Sequence, residues 1–194
     1  MNPYLVETKA AVTDLFATLN RERLRLNSQL HNQSRMRDYA RELFEHGKAH
    51  GWSGELMIEW AGFEQSAADF ESKAAETIVL VENLRSAHSA IAGAILQIAK
   101  QGISFIYGPL GNCPIGRAVG SQHLSNVIWQ GRNQSMHYEE GANKPATIAC
   151  FAALEADFGP GFQLGRTNLA AEVLRVLGWV EYEVYEADMA TLLP

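Results

Sequence analysis

The sequence predicts an all-α fold on three observations. Residues 4–46 contain neither glycine nor proline, the apolar residues in the middle of the chain recur at helical spacing, and a strand is read over one short segment only, near the C-terminus. With 194 residues, 47% of them apolar and 20% charged, the chain is long enough for a sizeable hydrophobic core and is neither a disordered nor a collagen-like polymer.

Within residues 4–46, Leu15, Phe16, Leu19, Leu24, Leu26, Leu30, Tyr39, Leu43 and Phe44 give apolar faces that predict two helices, or one long helix broken around 27–32. The glycines of 46–54 predict a loop. A helix-rich stretch follows over 55–100, with an interruption expected near Gly62. Its second part carries Ile78, Val81, Leu84, His88, Ile91, Ile95 and Ile98 at steps of 3, 3, 4, 3, 4 and 3, one stripe of an α-helix. Ala87, Ala90, Ala92, Gly93 and Ala94 beside that stripe let a neighbouring helix approach closely, so this segment reads as the central helix of a bundle.

Gly102 and the glycine- and proline-rich run 108–114 are expected to end that helix. The next helix starts near Pro114, with Ile115, Val119, Leu124, Val127 and Ile128 as its buried face, and an interruption is expected over 131–143. A further helix begins near Pro145, with Ile148, Phe151, Ala152, Leu154 and Phe158 inside, and closes at Gly159-Pro160-Gly161. A short helix over 167–177 and a strand over 179–185, the latter suggested by its β-branched and aromatic content, complete the chain.

No uninterrupted apolar run approaches the roughly 20 residues of a membrane span, and no basic segment followed by an apolar stretch marks a secretory signal. Cys113 and Cys150 fit no metal-ligand spacing and suit a reducing compartment, so a cytoplasmic protein without membrane contact is expected. The net charge of −6 gives no general attraction to nucleic acid, and contact with a polyanion would have to come from a local cationic patch. The six arginines between Arg21 and Arg41 offer one such patch, but Glu22, Asp38, Glu42 and Glu45 among them favour an ordinary solvated helix face.

Neither a P-loop, a nucleophile elbow, a His-Glu-x-x-His helix nor a calcium loop is present in the sequence. Glu42, His46 and His50 would share a helix face suited to a metal, but Gly47 and Gly51 argue that the helix is ending there, so no metal and no cofactor is expected. His88, on the apolar stripe, reads as a core histidine that could also orient other polar groups.

Residues 129–140, Trp-Gln-Gly-Arg-Asn-Gln-Ser-Met-His-Tyr-Glu-Glu, gather a cation, amides, a hydroxyl and an imidazole at the junction of two bundle helices. Arginine offers a planar, permanently charged fork that fits phosphate bidentately, and histidine is the side chain whose ordinary pKa permits proton transfer near neutrality. An arginine with a histidine five or six residues further on occurs at Arg25 and His31, Arg41 and His46, Arg117 and His123, and Arg132 and His137. Only the last pair combines an adjoining Asn133, a preceding Gly131 and a place between two bundle helices.

In this Arg132-Asn133-x-x-x-His137 motif the sequence resembles the HEPN superfamily, compact helical bundles that include metal-independent ribonucleases of toxin–antitoxin and defence systems. The resemblance covers residues 66–158. It leaves 1–60 as an N-terminal helical extension, expected to pack on the bundle, and 159–194 as a C-terminal extension of a single domain. It implies a homodimer whose two motifs share a cleft, with Arg132, Asn133 and His137 as catalytic residues and His88, Ser135 and Tyr138 as supporting candidates.

Geometry adds its own constraint. Five steps of a regular α-helix rotate by about 500°, so Arg132 and His137 would point about 140° apart. Either the segment is irregular or the site combines two chains. The function expected is an endoribonuclease of toxin or defence type that cleaves single-stranded or loop regions of RNA, with an antitoxin or regulatory protein as a further partner. The alternative is a non-catalytic HEPN-like helical module that dimerises or binds a nucleotide or a protein.

Overall fold

The computed structural model describes the backbone of residues 2–50 and 54–194, and their side chains apart from 32–33, 36–37, 39–47, 50, 54–75 and 77. The fold is all-α, 79% helical, with six helices among the described residues: α1 Pro3–His50, α2 Gly54–Tyr107, α3 Leu124–His137, α4 Pro145–Phe158, α5 Ala170–Leu177 and α6 Tyr182–Leu192. A two-stranded ribbon, β1 Ala118–Val119 and β2 Gln122–His123, precedes α3. The chain divides into two compact units, Met1–Glu22 with Ser86–Pro194, and Arg23–Arg85.

The first unit holds the hydrophobic core, and each helix enters it by its apolar period. Leu5, Val12, Phe16 and Leu19 come from the start of α1, and Ala92, Ile95, Leu96, Ala99 and Ile103 from the end of α2. To these α3 adds Leu124, Val127 and Ile128, α4 adds Cys150, Phe151 and Leu154, α5 adds Ala170, Val173, Leu174 and Leu177, and α6 adds Tyr182, Tyr185, Met189 and Leu192. Each set recurs at three- and four-residue steps, so one face per helix is removed from water.

The line of α2 that meets the core is displaced from the stripe of larger aliphatic residues. Ile95 and Val81 are buried, but Ile78 is exposed and the fully buried line runs through Ala92, Leu96 and Ala99. Small residues set this choice: a Cβ on Gly93 would stand 3.4 Å from Ser135 Oγ and 3.9 Å from Ala170 Cβ, so α3 and α5 approach α2 closely there. Gly102 does not end α2, which continues to Tyr107, because the ring of Tyr4 packs where a side chain would stand, 2.7 Å from an added Cβ.

Long helices replace the expected breaks at 27–32 and near Gly62, since α1 and α2 run through both. The helix also passes Gly47 to reach His50; the side chains of Glu42, His46 and His50 lie outside the described residues. One stretch, Ile78–Tyr107, is long and apolar enough to cross a membrane by length and composition. A count of unbroken apolar runs misses it, because Ser, Gln and Gly interrupt the runs without adding charge. Part of it, 39% of its most apolar window, is buried in the fold.

The expected strand at 179–185 is instead a turn and the start of α6. Gly178 ends α5 in the left-handed region at φ 69°, Trp179 is buried, and Tyr182, Tyr185, Met189 and Leu192 then follow at steps of 3, 4 and 3. Strand-like composition within seven residues yields to a helical period that extends over eleven. The ribbon was hidden for the opposite reason, being only two residues per strand around Gly120-Ser121, with Gly120 at φ 58° as a tight hairpin requires. Leu124, not Pro114, therefore begins α3, and Ile115 is exposed. On α4, Phe151 and Leu154 are buried as expected, whereas Ile148, Ala152 and Phe158 face outward.

Candidate functional site

Helix α3 does not break at Gly131. A Cβ there would lie 2.9 Å from Val173 Cγ1, so the glycine serves close packing of α3 on α5 rather than a turn. The helix ends at His137, whose torsions (φ −128°, ψ 12°) leave the helical region. A 3-10 turn, Tyr138–Glu140, follows, and Gly141 at φ 67° reverses the chain. Lys144, extended, then leads into Pro145 at the first position of α4.

These turns build a cleft of about 180 Å³ between the end of α3 and the start of α4. Arg132, Asn133 and His137 all line it, together with Glu140, Lys144 and Thr147. The motif residues thus line one cleft within a single chain, so helical geometry does not by itself call for a second chain. Arg132 reaches the cleft by a long side chain, and His137 stands where the torsions leave the helical region.

Arg132, Asn133 and His137 each have a defined partner. Arg132 Nε donates to Gln97 Oε1 of α2, and Arg132 Nη1 donates to Asn133 Oδ1 at 3.4 Å. Asn133 Nδ2 donates to Gln130 Oε1 at 3.4 Å, which also accepts from the buried Thr147 Oγ1 at 2.9 Å. Gln130 in turn donates to Asn126 Oδ1 and Asn126 to Gln122 Oε1, an amide ladder along α3 that fixes Asn133 from behind. Amides and a hydroxyl hold these groups, so the charge of Arg132 is not cancelled.

His137 Nδ1 lies 2.7 Å from Glu140 Oε1. An ionised carboxylate can only accept, so Nδ1 carries the proton and Nε2 is left to take or give one. Lys144 has no side chain capping α4, and the first amides of that helix, with no intrahelical acceptor, add their positive dipole end to the cleft. Two basic side chains, a helix N-terminus and an imidazole facing one carboxylate suit a phosphate group undergoing proton transfer.

The supporting candidates fall elsewhere. Ser135 is buried on the far side of α3, donating to Arg132 O at 2.9 Å and packing on Gly93. Tyr138 does not line the cleft, and its phenol pairs with Glu139, which holds it above its usual range. His88 is also absent from the lining. Gly93, Leu96, Gln97 and Lys100 mark the side of α2 that meets α3, and His88 projects roughly 130° away from it at 100° per residue. Conversely, the sequence does not point to Lys144, Thr147 or Gln97, whereas Glu140 falls within its polar segment 129–140. Lys144 left one signal, a lysine immediately before a helix-opening proline, where Ser, Thr, Asp or Asn would cap better. Among the described residues no group of three or more His, Cys, Asp or Glu is placed to hold a metal ion.

No family model matches the chain, and no curated protein and no solved structure matches it.

Proposed function

We propose that this chain is a metal-independent endoribonuclease of toxin or defence type with a HEPN-like bundle, acting on single-stranded or loop regions of RNA. The observation that carries the reading is the convergence of Arg132, Asn133 and His137 on one cleft at the N-terminus of α4. The substrate supplies the nucleophile: its 2′-oxygen forms a bond to the adjacent phosphorus while the bond to the 5′-oxygen breaks. His137 Nε2 takes the proton of the 2′-hydroxyl or protonates the departing oxygen, and Arg132 and Lys144 stabilise charge on the phosphoryl oxygens. Asn133 keeps the guanidinium in place. A cleft of about 180 Å³ is smaller than the roughly 300–1,000 Å³ that engulfs a whole drug-sized ligand, so it takes a phosphate and its sugar from a longer strand.

Cleavage of this kind moves two protons, and His137 is the one imidazole in the cleft. A homodimer that brings a second His137 to a shared cleft supplies the other, and exposed Met136 and Ile148 beside the site offer apolar surface for it. An antitoxin or regulatory protein belongs to this proposal as the restraint that such an activity needs. The compartment we assign is the cytoplasm, consistent with two buried free thiols, Cys150 being pushed up to about 12 by burial.

A non-catalytic binding module is the second reading, and the His137–Glu140 pair favours it, because such exposed pairs also serve simply to close helix ends. Incubation of the purified protein with total RNA separates the two. The nuclease reading expects cleavage by wild type that persists in EDTA and falls 10²- to 10⁴-fold in His137→Ala. Equal cleavage by both proteins, or loss of activity in EDTA, would overturn it.

A further inference from the structure

Through the cleft and past both its ends, the first unit carries cations that pair with no carboxylate among the described residues. At one end Lys100 Nζ sits over the Trp129 ring, 4.4 Å from its centroid. Arg132 follows one turn along α3 on the same helical face, held by amides, and its charge together with the stronger effect of burial lowers the Lys100 ammonium below its usual range. Lys144 lines the cleft next, and Arg166 closes the row, its Nε 3.8 Å from where a Cβ on Gly141 would stand. Among the described residues none of the four has an ion-pair partner, whereas Arg117 and Arg175 are tied to Asp188 and Glu172. Glu139 and Glu140 are the acids beside the row, hydrogen-bonded to Tyr138 and His137, and neither lies within ion-pair distance of the four cations.

We propose that Lys100, Arg132, Lys144 and Arg166 form a track for the backbone of a single nucleic-acid strand, which they draw across the cleft. The choice of a nucleic acid as the polyanion rests on the ribonuclease reading, but the track itself rests on charge and geometry. The path from Trp129 to His137 covers roughly 12 Å along α3, a length over which successive phosphates of an extended strand meet successive cations. A single file of cations matches one backbone, while a duplex presents two backbones across a wider face. In a chain of net charge −6 these positions are where a polyanion gains attraction.

The test uses the full chain and a fluorescein-labelled, uridine-rich 2′-O-methyl RNA 12-mer, which lacks the nucleophile and cannot be cleaved, with binding read by anisotropy from 50 to 200 mM NaCl. Wild type should bind the strand in preference to a blunt duplex of the same length. The triple variant Lys100→Gln, Lys144→Gln, Arg166→Gln should bind on the order of tenfold more weakly, with the slope of log K against log salt reduced by about 0.7 for each phosphate no longer neutralised. Because Lys100 packs on Trp129, the double variant Lys144→Gln, Arg166→Gln keeps the test open should the triple variant fail to fold, and Arg175→Gln serves as the unchanged control. Unaltered slope in the double variant, a preference for duplex, or no binding at 50 mM salt overturns the track. Cleavage of the matching 2′-hydroxyl RNA is scored in parallel. Binding with the expected slopes but no cleavage supports the track and removes the ribonuclease reading. Cleavage with unchanged salt slopes does the reverse.

Discussion

Arg117 and Arg132 each precede a histidine at nearly the same spacing, yet the fold gives them opposite environments. Arg117 grips Asp188 with two hydrogen bonds of 2.7 Å and donates a third to Leu177 O, while Trp179 Nε1 donates to the same carboxylate at 2.8 Å. Its charge is consumed in joining the loop before α3 to α5 and α6, and Asp188 holds the guanidinium above its usual range. Arg132 is held by Gln97 and Asn133, neutral groups that orient a guanidinium without cancelling it. The same residue type at nearly the same spacing is thus an ion-paired staple in one corner and a cation held by neutral partners in the other. What separates them is the chemistry of the acceptor.

The largest expected effect breaks this contrast at its active end. Arg132→Ala should reduce RNA cleavage by about 10²- to 10³-fold with little change in melting temperature, as removing a group that stabilises developing charge does. Arg117→Ala should leave the cleavage rate of the folded protein unchanged and lower stability instead, by about 2–3 kcal/mol in urea titration. That value lies below the cost of opening a fully buried pair because the Arg117 side chain is 43% exposed. Equal behaviour of the two variants in both assays would remove the distinction.

A smaller effect sharpens the packing behind the site. Gly131→Ala pushes a methyl against Val173 where α3 meets α5 and should cost about 1–2 kcal/mol, read as a lower urea midpoint. If Gly131 were instead a hinge, the substitution would stabilise the helix, as alanine for glycine does in an unhindered interior.

The smallest effect concerns the ribbon that carries Arg117 toward its partner. Asp157 accepts hydrogen bonds from the Ser121 amide at 2.6 Å and hydroxyl at 2.7 Å, which lower its pKa below the usual 3.8. A depressed carboxylate contributes stability above its unfolded value that disappears as pH falls through the folded one. Asp157→Asn should therefore lower the melting temperature slightly at pH 6, with the difference closing below pH 3.8. A difference independent of pH would assign the contact to packing alone.

Most helices were legible because their signal is local. The steps of α2, the proline opening α4 and the glycine closing α5 are short-range rules that need no partner. Sequence went astray where two short-range rules competed: the aromatic cluster at 179–185 against the longer period of α6, and the glycine at 131 against the helix around it. In both places tertiary contact decided, through burial of Trp179 and the approach of Val173.

The sequence by itself determined the helical class and kept Arg132, Asn133 and His137 near one another, since five residues of chain cannot separate them far, but it expected an interruption over 131–143 where the structure continues α3 to His137. It could not determine which arginine keeps its charge. Asp188 lies 71 residues from Arg117 and Gln97 lies 35 from Arg132, so acceptor identity is fixed only when distant helices pack. Tertiary structure likewise brought Lys144 and Arg166 to the row that includes Arg132 and sent His88 away from it. Hydrogen bonds and ion pairs act over a few ångströms of space regardless of chain separation, and that is the scale on which this site was assembled.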